Sequence, residues 1–275
     1  MSDTLVVNEI YVSLQGESTF AGLPCVFVRL TACNLRCSYC DTAYAFTEGG
    51  KKSLTEILTE IRRLAEPYSQ SAAGRAARPR RLSENHTESS IAIGDKEGGA
   101  AAPPYQRLPL VELTGGEPLL QPNSLPLMKA LCDEGFTVLV ETSGALDISR
   151  VDARVRRIMD LKCPSSGEVK RNRPENLAHL KSTDEIKFVI GTREDYEWAK
   201  QQITEHQLAD HCPLLFSWVQ PLQPEQQDKS LKPVPPGQTP ISRLELVEQI
   251  IADALPVRFQ AQLHKLIWAP DQRGV

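Results

Sequence analysis

No apolar run in this 275-residue chain approaches the roughly 20 residues needed to cross a bilayer. Its first residues, Met1-Ser-Asp-Thr-Leu-Val-Val-Asn-Glu9, lack a basic stretch followed by a long apolar core. No secretory signal is therefore expected. Nor is positive charge in excess: 31 Lys and Arg against 35 Asp and Glu give a formal net charge of −4, with a pI near 5.8. That balance argues against a protein that coats nucleic acid, which needs a basic face for the phosphates. It leaves room for a local basic pocket that takes a small anion. Cysteines do not pair: there are seven, an odd number, and three are packed together. This argues against a disulfide framework and for a reducing, cytoplasmic setting. A second cysteine knuckle is missing too, since Cys25, Cys132, Cys163 and Cys212 are scattered singly in or beside apolar runs. They read as small core residues.

What is present is the run Cys33-Asn-Leu-Arg-Cys37-Ser-Tyr-Cys40. Three thiolates spaced C-x3-C-x2-C on a short loop suit three irons of a [4Fe–4S] cluster. The fourth iron is then open to bind a small molecule, as the open position does in catalytic zinc sites. By spacing alone, a zinc ion completed by a remote Cys or His, or no metal at all, also stays open.

Around this loop, short β-rich runs alternate with amphipathic helical stretches. Strands are expected over 25–30, 108–114, 136–142, 157–163, 185–190, 214–219 and 257–263. Helices are expected over 124–134, 193–205 and 241–255, the last with Thr239 as N-cap and Pro240 at its first position, and one starts near Pro174. Residues 53–66 place Leu54, Ile57, Leu58, Ile61 and Leu64 at helical spacing, with Ser53 and Glu56 as a capping box. Repeated strand-then-helix order means parallel pairing with right-handed crossovers. About six repeats are too few for a closed eightfold barrel, so an α/β fold of the open, partial parallel β/α-barrel type is expected, as one domain over 1–275. Residues 70–106, rich in Ser, Ala, Gly, Pro and Arg, read as a mobile low-complexity insert or, less simply, a basic interaction segment. Residues 223–238 form a second, Pro-rich connection.

Functional residues of parallel barrels gather at the C-terminal ends of the strands. There lie the cysteine loop, Thr114-Gly-Gly-Glu-Pro118, Glu141-Thr-Ser-Gly144, Lys162-Cys-Pro-Ser165 and Gln220-Pro221. Gly115-Gly116 would let backbone groups approach a ligand closely, or would simply make a turn.

The cysteine loop, with Tyr39 before its last cysteine and the Gly-Gly-Glu-Pro motif, resembles the radical S-adenosylmethionine superfamily. Further motifs resemble the 7-carboxy-7-deazaguanine synthase family within it: Asn8 to Glu17, Val28-Arg29-Leu30, Cys40-Asp41-Thr42, Thr114 to Pro118, Glu141 to Gly144, Val219-Gln220-Pro221 and Gln262-Leu-His264-Lys265. That resemblance implies ring contraction of 6-carboxy-5,6,7,8-tetrahydropterin to 7-carboxy-7-deazaguanine with loss of ammonia, on a route to queuosine and related deazapurines. It implies a [4Fe–4S] cluster on Cys33, Cys37 and Cys40, S-adenosylmethionine, and Mg²⁺ on Thr42, which otherwise reads as a turn residue. It implies an S-adenosylmethionine set of Gly115, Gly116, Glu117, Thr142, Ser143, Ser165 and Gln220, with Asp41 a weaker member. The implied substrate set is Leu14, Gln15, Gly16, Glu17, Arg29, Thr114, His264 and Lys265, although Arg29 also reads as a solvated strand-end residue and His264 as structural. A flavodoxin-like or ferredoxin-like electron donor and a homodimer are further implications. Ser143 departs from the Asn of some family members, and Lys162-Cys-Pro-Ser165 matches loosely. Two rivals are a radical activase that installs a glycyl radical on a partner protein and a non-catalytic zinc-binding interaction module.

Overall fold

The computed structural model describes residues 3–76, 110–269 and 272–275. One nine-stranded sheet runs in the order β3-β1-β2-β4-β5-β6-β7-β8-β9. From β2 (Pro24–Leu30) through β4 (Leu110–Gly115), β5 (Thr137–Thr142), β6 (Arg156–Asp160), β7 (Glu185–Ile190), β8 (Leu214–Trp218) and β9 (Val257–Gln260) every neighbouring pair is parallel. Two antiparallel strands extend the β2 edge, β1 (Thr4–Leu14) and β3 (Gly50–Ser53). The sheet thus has nine strands where about six were expected. The difference includes β1 and β3, whose many polar residues, half-buried or exposed, hide the strand pattern.

Alternation sorts the strands into two faces. Val26, Val28 and Leu30 of β2, Val111 and Leu113 of β4, Val138 and Val140 of β5, and Ile186, Phe188 and Ile190 of β7 belong to the main core with the helices. These are α1 (Leu54–Ala76), α2 (Ser124–Asp133), α3 (Arg193–Glu205) and α4 (Arg243–Ala252). Each fully buried aliphatic side chain there contributes about 1.5–3 kcal/mol. The opposite face forms a smaller apolar layer of Phe20, Cys25, Phe27, Leu110, Leu139 and Ile158. Above that floor, towards the strand C-termini, the inward positions turn polar: Arg29, Glu112, Thr114, Glu141, Asp160 and Lys187.

Several boundaries depart from expectation. Helix α1 continues ten residues beyond residue 66, to Ala76, so the start of the supposed insert is helical; residues 77–109 lie outside the described part. The N-cap of α4 is Ser242, whose Oγ accepts the Glu245 N–H at 3.1 Å, and not Thr239. Thr239 instead donates its N–H to Glu194 at 2.8 Å, and Pro240 bridges to Thr192, holding the chain extended until Ser242. Strand β9 stops at Gln260, and α5 (Leu263–Ile267) carries His264 and Lys265. The start near Pro174 is a 3-10 segment, Pro174–His179.

The sheet is an open barrel, and the turn after β1 bridges its gap. Ser18 N donates to Gln260 Oε1 at 2.8 Å and Gln260 Nε2 donates back to Ser18 O at 2.7 Å. Leu263 N reaches Gly16 O at 3.1 Å, and Gln262 Nε2 reaches Glu17 Oε1 at 2.8 Å. Residues 15–19 therefore tie the β1 end of the sheet to β9. A Cβ on Gly16 would lie 2.8 Å from His264 Nδ1, so a larger residue there would push the imidazole aside.

Candidate active site

The inward polar layer opens into a cleft of about 1400 Å³, solvent mouth included. Of the residues singled out above, Cys33, Cys37, Cys40, Asp41, Thr42, Gly115, Gly116, Thr142, Ser143 and Gln220 line it. So do Leu14, Gln15, Gly16, Glu17, Arg29, Thr114, His264 and Lys265. Their elements are separated widely in sequence and meet only because parallel strands end on one side.

Glu117 and Ser165 do not line it. Glu117 is fully buried and accepts hydrogen bonds from Thr142 Oγ1 (2.9 Å), Ser143 N (2.8 Å), Ser143 Oγ (2.6 Å) and Leu119 N (3.0 Å). It holds the Thr142-Ser143 edge in place from behind. Ser165 is buried, with its N–H on Asp195 at 2.7 Å and its Oγ without a protein partner among the described residues.

The cysteine loop begins at Ala32, which sits at φ +78°, an uncommon conformation for a residue with a Cβ. The Gly-Gly pair explains how that loop seats. A Cβ on Gly115 would lie 2.2 Å from Leu30 O, and one on Gly116 would lie 2.0 Å from Ala32 O. Gly116 N and Glu117 N bond Leu30 O and Ala32 O at 3.1 and 2.8 Å. The glycines serve close approach of the neighbouring backbone as well as of any ligand. Farther along, Ser38 N and Oγ bond Ser166 O (3.1 Å) and Ser165 O (2.7 Å), while Arg36 N bonds Glu168 at 2.7 Å. Lys232, in the Pro-rich connection, holds the same Glu168 at 2.8 Å and donates its N–H to Arg36 O at 3.0 Å.

All three loop cysteines are free thiols. They pack with Leu35, Tyr39 and Ala145 in a small apolar cluster. Burial pushes the Cys37 thiol up to about 11 and the Cys40 thiol up to about 12. No three His, Cys, Asp or Glu side chains among the described residues converge on a point that would hold a single ion. A cubane binds each thiolate through a different iron, so three thiols that do not converge on one point fit a cluster better than one zinc ion.

Sequence reasoning passed over the charges inside the strands. Lys187 bonds Glu141 and lies 3.2 Å from Glu17, which also accepts Ser217 Oγ at 3.0 Å. Burial alone would raise the Glu17 carboxyl, but Lys187, helped by Gln262, lowers it to about 2. Lys162 holds Asp160 at 2.6 Å. Glu112 accepts the Gln15 amide N–H. The available signal was a lone charge at an inward position of a buried strand, as in Leu-Val-Glu112-Leu and Ile-Lys187-Phe. Val275 also lines the cleft.

At the mouth, Arg29 pairs with Glu9 at 2.7 Å and bonds the Tyr11 hydroxyl at 2.7 Å. The Thr42 hydroxyl donates to Asp41 at 2.7 Å, and Asp41 holds Lys265 at 2.6 Å. Burial pushes His264 below its usual value, favouring the neutral ring.

An open parallel β/α barrel with a three-cysteine loop at the C-terminal ends of its strands defines a radical S-adenosylmethionine enzyme. The crystal structure of QueE from Escherichia coli shares this fold, with a TM-score of 0.57 over 94% of each chain at 20% identity. No protein-family model matches the chain. The 7-carboxy-7-deazaguanine synthase of Koribacter versatilis is 38% identical over 98% of this chain and 99% of its own. That of Chlorobaculum tepidum is 37% identical over 98% and 97%. The chain belongs to the 7-carboxy-7-deazaguanine synthase family. No described helix is long and apolar enough to cross a membrane.

Proposed function

We propose that the cleft contracts the ring of 6-carboxy-5,6,7,8-tetrahydropterin to 7-carboxy-7-deazaguanine, releasing ammonia, in the cytoplasm. The observation that carries this reading is that one cleft is lined by the cysteine loop, a backbone edge and a set of ring-reading polar groups together. Cys33, Cys37 and Cys40 hold the cluster. When bound, the cluster and S-adenosylmethionine supply one-electron chemistry that removes a hydrogen atom from the substrate. Gly115, Gly116, Thr142, Ser143 and Gln220 offer S-adenosylmethionine a polar edge that Glu117 keeps rigid, with Asp41 beside it. Ser165 contributes from behind the cleft wall.

Leu14 and Gly16 shape the substrate side, and Thr114, Gln15 and Glu17 provide hydrogen bonds to a pterin ring. Arg29, Lys265 and neutral His264 face the end where a carboxylate would lie. Thr42 fits a Mg²⁺ ligand: its proton is committed to Asp41, so its lone pairs are free for a cation that takes few protein ligands. An electron donor of flavodoxin or ferredoxin type and a homodimer complete the proposal. The exposed Leu244 and Ile251, seven residues apart on α4, support a protein-covered face.

Family membership favours this reading over a glycyl-radical activase or a zinc module. Its test is anaerobic turnover by the reconstituted enzyme. Cys37→Ala is expected to abolish product and lower iron content. Thr42→Ala is expected to keep the iron but raise the Mg²⁺ concentration needed for half-maximal rate. An unchanged Mg²⁺ response would remove Thr42 from the metal site.

A further inference from the structure

Among the described residues, the side-chain carboxyls lining the cleft each have a cation, with one exception. Glu17 and Glu141 share Lys187. Asp160 has Lys162, and Asp41 has Lys265. Glu112 has no ion pair among the described residues, though it lines the cleft and is only 2% exposed. It stands at the centre of β4, in register with Phe27 of β2 and Leu139 of β5. Both neighbours are apolar floor residues.

One of its oxygens, Oε2, accepts the Gln15 N–H. No described group bonds the other, Oε1. That oxygen is not sealed from the cleft, so a ligand seated there can reach it. Burial pushes the Glu112 carboxyl well above the ordinary range; Glu141 and Glu17 push the same way, against Lys187 and Arg29. Tyr11 and Cys25 are its other titratable neighbours, and both are themselves pushed towards their neutral forms by burial. A neutral carboxyl has one carbonyl oxygen and one hydroxyl. With Oε2 taken by the Gln15 N–H and no cation paired with the group, a neutral Glu112 would turn its Oε1 hydroxyl to the cleft.

We propose that Glu112 is a specificity-determining residue that donates its Oε1 hydroxyl hydrogen to a carbonyl oxygen of the substrate heterocycle. This rests on the pterin reading of the cleft and adds to it the group that separates a 4-oxo ring from a 4-amino ring. An amino group at that position would bring N–H hydrogens towards an O–H donor. Sites that leave a buried polar group unpaired with the wrong ligand discriminate strongly.

The test uses the full-length reconstituted holoenzyme and two oxidised, unreactive probes, pterin-6-carboxylate and 2,4-diaminopteridine-6-carboxylate, titrated by calorimetry. Wild type is expected to prefer the oxo probe by about tenfold or more. Glu112→Gln keeps an N–H donor at the same place and should keep the preference. Glu112→Leu should lose it while retaining iron, a result that a purely structural role for Glu112 would not produce. If the Leu variant fails to hold its cluster, Glu112→Asp replaces it. Its hydroxyl is withdrawn by one methylene, and the preference should fall. A Leu or Asp variant with full iron and an unchanged preference overturns the proposal. Wild type that binds neither probe overturns the substrate reading itself, and the proposal with it.

Discussion

At the residue scale the cleft depends on Lys187. Its ammonium is nearly buried and joins Glu17 on the bridging turn to Glu141 on β5. Removing one partner from a buried pair strands the remaining charge. Lys187→Met is therefore expected to lower unfolding free energy by roughly 3–5 kcal/mol, read as a shift in the urea midpoint. The pH dependence follows in sign. Glu17 is held at about 2, below its usual 4.5, so its contribution is fully present above about 4.5 and lost as pH falls towards 2. Lys187 is raised above its usual value, so its contribution persists through the neutral range and is lost only on the alkaline side. In the variant Glu17 loses its cation and titrates higher, so acid destabilisation should begin at higher pH than in wild type. Matching urea midpoints for variant and wild type at pH 7 would contradict this account.

At the scale of elements, the β4 terminus and the cysteine loop are fitted to one another. Gly116→Ala would force its Cβ against Ala32 O at the mouth of the loop. Overpacking of this kind costs ~1–3 kcal/mol, and the displaced loop should take up less iron on reconstitution, measured as iron per chain. Full iron would contradict the assigned role. A cap far from the cleft gives the contrast. Ser53 N donates to Glu56 Oε2 at 2.7 Å and Glu56 N returns to Ser53 Oγ at 3.2 Å, the capping box expected from sequence. Ser53→Ala should cost about 1 kcal/mol in thermal unfolding and leave turnover unchanged. The elements were legible where periodicity was strong: β7 and α3 begin and end where expected. They were not legible where tertiary contacts decide. Thr239 is drawn out of its capping role by Glu194, and β9 gives way to α5 where Leu263 turns to meet Gly16.

At the scale of the molecule, the sheet brings seven separate motifs to one mouth. Their order in sequence already pointed to a shared site, because strand ends collect function in parallel folds. What sequence hid was the interior between them. Glu112, Asp160 and Lys187 sit in strands whose neighbours are apolar, and only the register shows that they point inward together. The burial of Glu117 was hidden for the complementary reason: a motif position gives no sign of whether a carboxylate lines the cleft or braces the wall behind it. The bridging turn at residues 15–19 was likewise invisible, since its partners lie more than 240 residues away.

The central claim is that this one cleft carries out a radical ring contraction. The most direct measurement offers the anaerobic, reduced holoenzyme S-adenosylmethionine, Mg²⁺ and 6-carboxy-5,6,7,8-tetrahydropterin, and follows the products by mass spectrometry. The account predicts accumulation of 7-carboxy-7-deazaguanine. Cleavage of S-adenosylmethionine to 5′-deoxyadenosine with no 7-carboxy-7-deazaguanine would contradict it and turn attention to a protein substrate.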